Sequence, residues 1–232
     1  MARAKSDYFR LDNMRIAFAH NLLTPKKDTQ TDGSVKLSFQ ASLLWPKGID
    51  LMGTKEDGSA LKVSDELMRL AIEAWGDRAV QMIEAQIIKN PLLDGDGPQA
   101  VSKKDGTRYE GFAGNRFIRA SATMQYPPKV YSDKLGADGK LVQITDPNSK
   151  EFYSGCYVNA VVNIFTWENA NQGRGMSFGI DMAQFAKPGD RLGGSGGGGA
   201  DASKFLKGVP GGATASVPAG AAAGKPAGNL FA

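Results

Sequence analysis

From Tyr157 to Trp167 every second residue, Tyr157, Asn159, Val161, Asn163, Phe165 and Trp167, falls on one side of an extended strand, because successive side chains point to opposite faces. That side mixes flat rings with carboxamides. Rings offer π-faces for stacking and carboxamides both donate and accept hydrogen bonds, so the mixture suits capture of unpaired nucleobases whatever their order. A purely structural reading fits the same pattern, since strands are enriched in aromatics and sandwich cores bury both faces. A second run repeats the arrangement: Phe117 and Arg119 share a polar side with Ser121, Thr123 and Gln125, opposite Ile118, Ala120, Ala122, Met124 and Tyr126.

Cations supply the other chemistry. Lys103, Lys104 and Arg108 cluster beside Tyr109 in a turn-rich segment, where they suit phosphate contacts or form an exposed polar loop. Lys36 stands on the polar side of another strand and allows the same two readings. Acid–base and metal chemistry find little support. Asp133, Asp146 and Asp181, the carboxylates a metal-dependent nuclease would need, lie in different segments without recognisable ligand spacing. His20 and Cys156 are the single histidine and the single cysteine, too few for an imidazole–thiolate metal cluster or an intramolecular disulfide. Gly194 to Gly199 satisfies G-x-G-x-x-G, but a glycine-rich linker does so trivially and no strand–helix context follows.

The elements that must position these groups are mostly strands. Met14, Ile16 and Phe18 alternate with Arg15 and Ala17 to predict a short first strand, and Pro25 to Asp28 reads as a loop. Ser34 to Trp45 predicts a half-buried strand with Val35, Leu37, Phe39, Ala41 and Leu43 on its apolar face, ended by Pro46. The period then becomes helical. Ser64 is the expected N-cap, Asp65 and Glu66 suit the first turn, and Leu67, Leu70, Ala71 and Ala74 form the stripe that carries Trp75 towards the core. A break at Gly76-Asp77 precedes a second stripe of Val80, Ile83 and Ile87, stopped by Pro91. Asn115 to Tyr126 is the next strand, and the Tyr157 run closes a hairpin with a partner that sets Met176, Phe178, Ile180 and Met182 opposite Ser177, Gly179 and Asp181.

Composition sets the outer limits. The 232 residues carry 41% hydrophobic side chains, enough for one substantial core, and a net charge of +4 that leans mildly towards an anionic partner. No apolar run reaches the ~18 residues of a membrane span, and Met1 to Asn13 lacks the apolar segment of a secretory signal, so an intracellular protein is expected. The last forty residues hold twelve glycines and ten alanines, which predicts a flexible tail over 193–232 after a folded domain over 1–192.

Three motifs in order, PPKVYSD (Pro127 to Asp133), FYSGCYVNAVVNIFTW (Phe152 to Trp167) and GRGMSFGIDMAQF (Gly173 to Phe185), are followed by GDRLGG from Gly189. Together they resemble a family of single-stranded-DNA-binding proteins encoded by bacteriophages, and SVKLSFQASLLWPK from Ser34 is similar to that family's early strand. The strong part of the likeness covers about residues 110 to 195. It implies a mainly β fold with an inserted helical segment, built as an OB-type β-barrel. On such a barrel the strand faces read above lead to the expectation that Phe117, Tyr157, Phe165 and Trp167 stack on bases, that Lys36, Lys103, Lys104, Arg108, Arg116 and Arg119 follow the phosphates, and that Asn159 and Asn163 bond base edges or sugar. The expected partner is single-stranded DNA in the cytoplasm of a bacterial host, with phage or host replication proteins meeting the tail. No catalytic group, metal or cofactor is expected, and oligomeric state stays open. One departure is the tail's charge: Lys204, Lys207 and Lys225 face a single Asp201, where many such proteins end in an acidic tip. Leu230 and Phe231 supply an apolar element there without that charge. The rival reading is a phage structural or assembly protein, for which a β-rich body and a Gly/Ala tail would also serve.

Overall fold

Apolar side chains recurring at every second residue build most of this chain, and the computed structural model describes residues 4–29, 33–170 and 172–193. In chain order the strands and helices are β1 (Phe9–Ala17), β2 (Lys26–Thr29), β3 (Val35–Pro46), β4 (Met52–Lys55), β5 (Ala60–Lys62), α1 (Val63–Trp75), α2 (Ala79–Glu84), β6 (Ile88–Lys89), β7 (Leu93–Asp94), β8 (Asn115–Thr123), β9 (Lys129–Leu135), β10 (Leu141–Gln143), β11 (Tyr157–Asn169) and β12 (Gly173–Lys187). Residues 194–232, which hold the glycine motif and nearly all of the expected tail, lie outside the described residues.

The long strands pair in the order β12–β11–β1–β3–β8, and the order returns on itself because β8 also pairs with β12, Ala120 opposite Phe178 and Ser121 opposite Gly179. Inside that circuit lie Leu11 and Ile16 of β1, Ala41 and Leu43 of β3, Ile118 and Ala120 of β8, Val158, Ala160, Val162 and Ile164 of β11, and Phe178 and Ile180 of β12. Each large apolar side chain buried this way contributes roughly 1.5–3 kcal/mol. Helix α1 covers this core with Leu67, Leu70 and Ala71, and Trp75 packs partly buried against it. Beyond the circuit, β12 also pairs in parallel with β6 at Arg174 and Gly175 and with β9 from Met182 to Gln184.

Several expected boundaries move, each for a physical reason. A bulge at Asp12-Asn13, with Asn13 at φ 53°, shifts the register of β1 between Leu11 and Met14, so the strand reaches back to Phe9 where simple alternation fails. Phe18 leaves the strand at φ 59° and turns to meet Tyr109 edge-on at 5.0 Å. Lys26–Thr29 is a strand, not a loop, paired antiparallel with Val35 to Ser38. This hairpin projects from the body, which leaves Val35 and Leu37 exposed on what was expected to be an apolar face. Helix α1 begins one residue ahead of the expected cap: Lys62 is its N-cap, and the Ser64 hydroxyl donates instead to Asp65. The break at Gly76 occurs as expected, with φ at 72°. The second stripe does not form, because the chain leaves α2 after Glu84 to pair β6 with β12, leaving Val80 and Ile87 exposed and Ile88 buried. Strand β8 ends at Thr123, so Met124 and Tyr126 are exposed rather than apolar-face residues.

Candidate functional site

Strand β11 keeps its two faces distinct. Val158, Ala160, Val162, Ile164 and Thr166 are buried inside, while Tyr157, Asn159, Val161, Phe165 and Trp167 remain half-buried on the outside. The neighbouring positions on β12 are small. Trp167 stands opposite Gly175, Phe165 opposite Ser177 and Asn163 opposite Gly179. A Cβ at Gly175 would lie 2.6 Å from the Trp167 ring, so the glycine is what lets the indole lie flat across the sheet. The indole Nε1 donates to the Ser177 hydroxyl at 2.9 Å, and the Lys89 ammonium sits 5.6 Å from the ring centroid. The ring is therefore seated on the Gly175 side and fixed through its N–H, and the side chain as a whole stays half-buried. Beside Phe165 the backbone of Lys5 forms a bridge that brings another exposed cation to this edge.

The opposite end of the ladder carries rings under cations. The Lys187 ammonium lies 4.6 Å from the Tyr157 centroid, and the Arg191 guanidinium 4.2 Å from that of Tyr153. The Tyr153 hydroxyl donates to the Gly189 carbonyl at 2.9 Å, fixing the turn that follows β12. Arg15, paired across β1 and β11 with Tyr157, donates from Nη2 to the Asp190 carbonyl at 3.1 Å, and its buried Nε has no hydrogen-bond partner among the described residues. The face thus presents rings within reach of positive charge, which can stack a base and meet the phosphates on either side of it.

Not every residue named from sequence reaches this face. Phe117 is fully buried: it packs edge-on against Phe112 at 4.8 Å, in a second apolar cluster with Ala17, Leu44 and Ala100 beneath the segment 92–114. Its ring is closed to a base. Asn163 is 5% exposed and lies over Gly179, so its amide is packed into the sheet. Arg108 is held by the Asp96 carboxylate at 2.6 Å, and Arg116 stands opposite Asp94. Arg119 donates to the Gln99 carbonyl at 2.6 Å and lies against Phe117, where desolvation pulls its pKa below the ordinary value. Lys103 and Lys104 are exposed in a turn, and Lys36 is exposed on the projecting hairpin opposite Asp28.

Other residues had no signal in alternation alone. Lys5, Lys89, Lys187 and Arg191 sit at strand ends or in loops. Met182 was expected on the same side as Met176 and Phe178, but a register shift at Val161/Val162 leaves Asp181 out of the ladder and turns Met182 to the outer side. Cys156 is buried, which raises its thiol pKa, and His20 is exposed near the Pro147 carbonyl. Among the described residues no three His, Cys, Asp or Glu side chains cluster closely enough to hold a metal, and no helix is long and apolar enough to cross a membrane.

Comparison with known proteins points the same way as the geometry. A family profile described as "Enterobacter phage Enc34, ssDNA-binding protein" matches residues 9–208. The putative protein p50 of Acyrthosiphon pisum secondary endosymbiont phage 1 is 30% identical over 201 residues, covering 84% of this chain and 91% of that protein. The solved single-stranded DNA-binding protein of bacteriophage Enc34 in complex with ssDNA is similar in fold, at 19% identity and a TM-score of 0.52, over 80% of this chain and 89% of that one. A second structure of the Enc34 protein gives a TM-score of 0.51 at 16% identity, over 89% and 100%.

Proposed function

The chain belongs to the family of the Enterobacter phage Enc34 ssDNA-binding protein, and on that premise we propose that it coats single-stranded DNA without regard to sequence during phage replication and recombination. The observation that carries this reading is the outer face of β11, where Phe165 and Trp167 lie beside the small residues Ser177 and Gly175 with Lys5 and Lys89 alongside. The strand circuit serves as an OB-type barrel in residues 1–192, with the face across β11 and β12 as its DNA-binding surface. Bases stack on Trp167, Phe165 and Tyr157. The phosphates follow Lys5, Lys89, Lys187 and Arg191, joined by the exposed Lys36, Lys103, Lys104 and Arg116. Asn159 offers hydrogen bonds to base or sugar, and no bond is made or broken. The setting is the cytoplasm of the infected bacterium, where replication proteins would be met through residues 193–232. Duplex DNA binds worse, because its bases are already stacked on one another and hidden from the rings.

Fluorescence anisotropy with a labelled oligo-dT and an equal-length duplex competitor tests the reading. Trp167→Ala and Phe165→Ala should each weaken binding by ~1–3 kcal/mol, roughly 5- to 150-fold, with the far-ultraviolet circular dichroism unchanged. Folded variants that bind like the parent would remove the stacking assignment. Absence of oligonucleotide binding by the parent at low salt would overturn the function.

A further inference from the structure

The outer face does not stop at β11 and β12. Register carries a single row across four strands: Asn159 of β11 pairs with Gln184 of β12, Gln184 with Tyr131 of β9, and Tyr131 with Gln143 of β10. All four line one groove of about 610 Å³, within the size range of small-molecule sites. Val161 and Met182, also cross-strand partners, give it an apolar strip beside that row. Met182 is there only because Asp181 is bulged out of the ladder.

The charges around the groove are balanced. Arg10 is paired with Asp12 at 2.6 Å, and Asp138 lines the same groove as Lys140, its Oδ1 accepting the Lys140 backbone N–H at 3.1 Å. Such a site is poor for a phosphate and good for a flat, neutral, hydrogen-bonding group. The amides are also partly committed. Asn159 Oδ1 accepts the backbone N–H of Asn13 at the β1 bulge, 3.1 Å away, which leaves its Nδ2 donor open. Gln184 Nε2 leans towards the Ser132 carbonyl at 3.5 Å, which leaves its Oε1 as acceptor. A fixed donor and a fixed acceptor on adjacent strands confront whatever enters.

We infer that this groove is a nucleobase pocket that reads base edges, so that base composition modulates by a few-fold the sequence-tolerant binding to which the Phe165–Trp167 end of the same face contributes without discrimination. Every base offers donors and acceptors on its edge, but in a different order, and a fixed donor–acceptor pair fits some orders better than others. Tyr131 and Met182 supply the surfaces that hold the base in plane. The inference rests on the proposed function.

Its test compares Kd values for oligo-dT, oligo-dC and oligo-dA of equal length in the parent, Gln184→Met, Gln143→Met and Trp167→Ala. The methionines keep chain length and remove the amides, and Asn159 is left intact because it also holds the bulge. The expected result is that one or both methionine variants change the ratios among the three oligonucleotides by roughly fivefold or more. Trp167→Ala should instead weaken all three by a common factor and keep the ratios. Unchanged ratios in both methionine variants, with folding verified by thermal denaturation, would overturn the pocket and leave the coating function standing. Failure of the parent to bind any of the three would remove the coating function and the pocket with it.

Discussion

Phe117 and Phe165 look alike in the sequence, each an aromatic on the polar side of an alternating strand, yet the structure buries one and leaves the other half-exposed. Phe165 stays half-exposed beside Ser177, whereas Phe117 is covered by Phe112 and Ala100 from a segment whose packing no alternation announces. Truncation separates them. Phe117→Ala should cost about 3–5 kcal/mol of stability and lower the melting temperature by about 10 °C. Oligonucleotide affinity measured well below the transition should stay within twofold of the parent. A Phe117→Ala protein that melts normally but binds weakly would reverse the two roles. The outward placement of Tyr157, Phe165 and Trp167 was legible because a strand's period is two and all three stay partly exposed. Asn163 was misread because exposure also depends on the neighbouring strand, and Gly179 leaves a hollow that the amide fills.

At the scale of elements, the segment 92–114 is fastened to β3 by charge. The Lys47 ammonium contacts Asp94 at 2.5 Å and Asp96 at 2.7 Å, Arg108 contacts Asp96, and the Gly114 N–H donates to the same carboxylate. Hydrogen bonds from Lys47 hold both carboxyls below the usual aspartate range and hold the ammonium above its own. A lowered carboxylate pKa stabilises above the unfolded value of about 3.9, and the contribution is lost as pH falls through the lower folded value. The fastening should therefore be constant from pH 7 to about 5 and released only in stronger acid. The Gly114 amide resonance should report it, titrating with a midpoint below about 3.9; a midpoint above that value would contradict the pairing. Lys47→Met should speed tryptic cleavage at Lys103 and Lys104 several-fold at neutral pH, and an unchanged cleavage rate would show that the loop is held by packing alone. None of these partners could be matched from sequence, since Lys47 lies far along the chain from Asp94. The bulges of β1 and β12 were equally silent. Each inserts a residue without changing composition, and each turns the side chains beyond it to the other face.

Taken whole, the proposed binding face gathers cations from the N-terminal arm, from β6 and from the turn after β12, so its electrostatics belong to the tertiary structure and the net charge of +4 gives only a faint hint of them. On single strands the logarithm of affinity should fall with the logarithm of salt by about 0.7 per phosphate contact. Lys89→Ala and Lys187→Ala should each make that slope shallower by about 0.7, while Trp167→Ala lowers affinity at every salt concentration and leaves the slope alone. Equal slopes in the parent and both lysine variants would take the phosphates off this face. The closed strand order has a consequence in time as well as in space. Phe9 pairs with Val162, and β8 meets β12 with three strands between them along the chain, so the earliest strand must wait for the latest hairpin. Such long-range closure makes for slow folding. During synthesis β1 has β3 at one edge and nothing at the other until β11 emerges, and for that interval the nascent chain carries an open, adhesive edge that the finished protein has sealed.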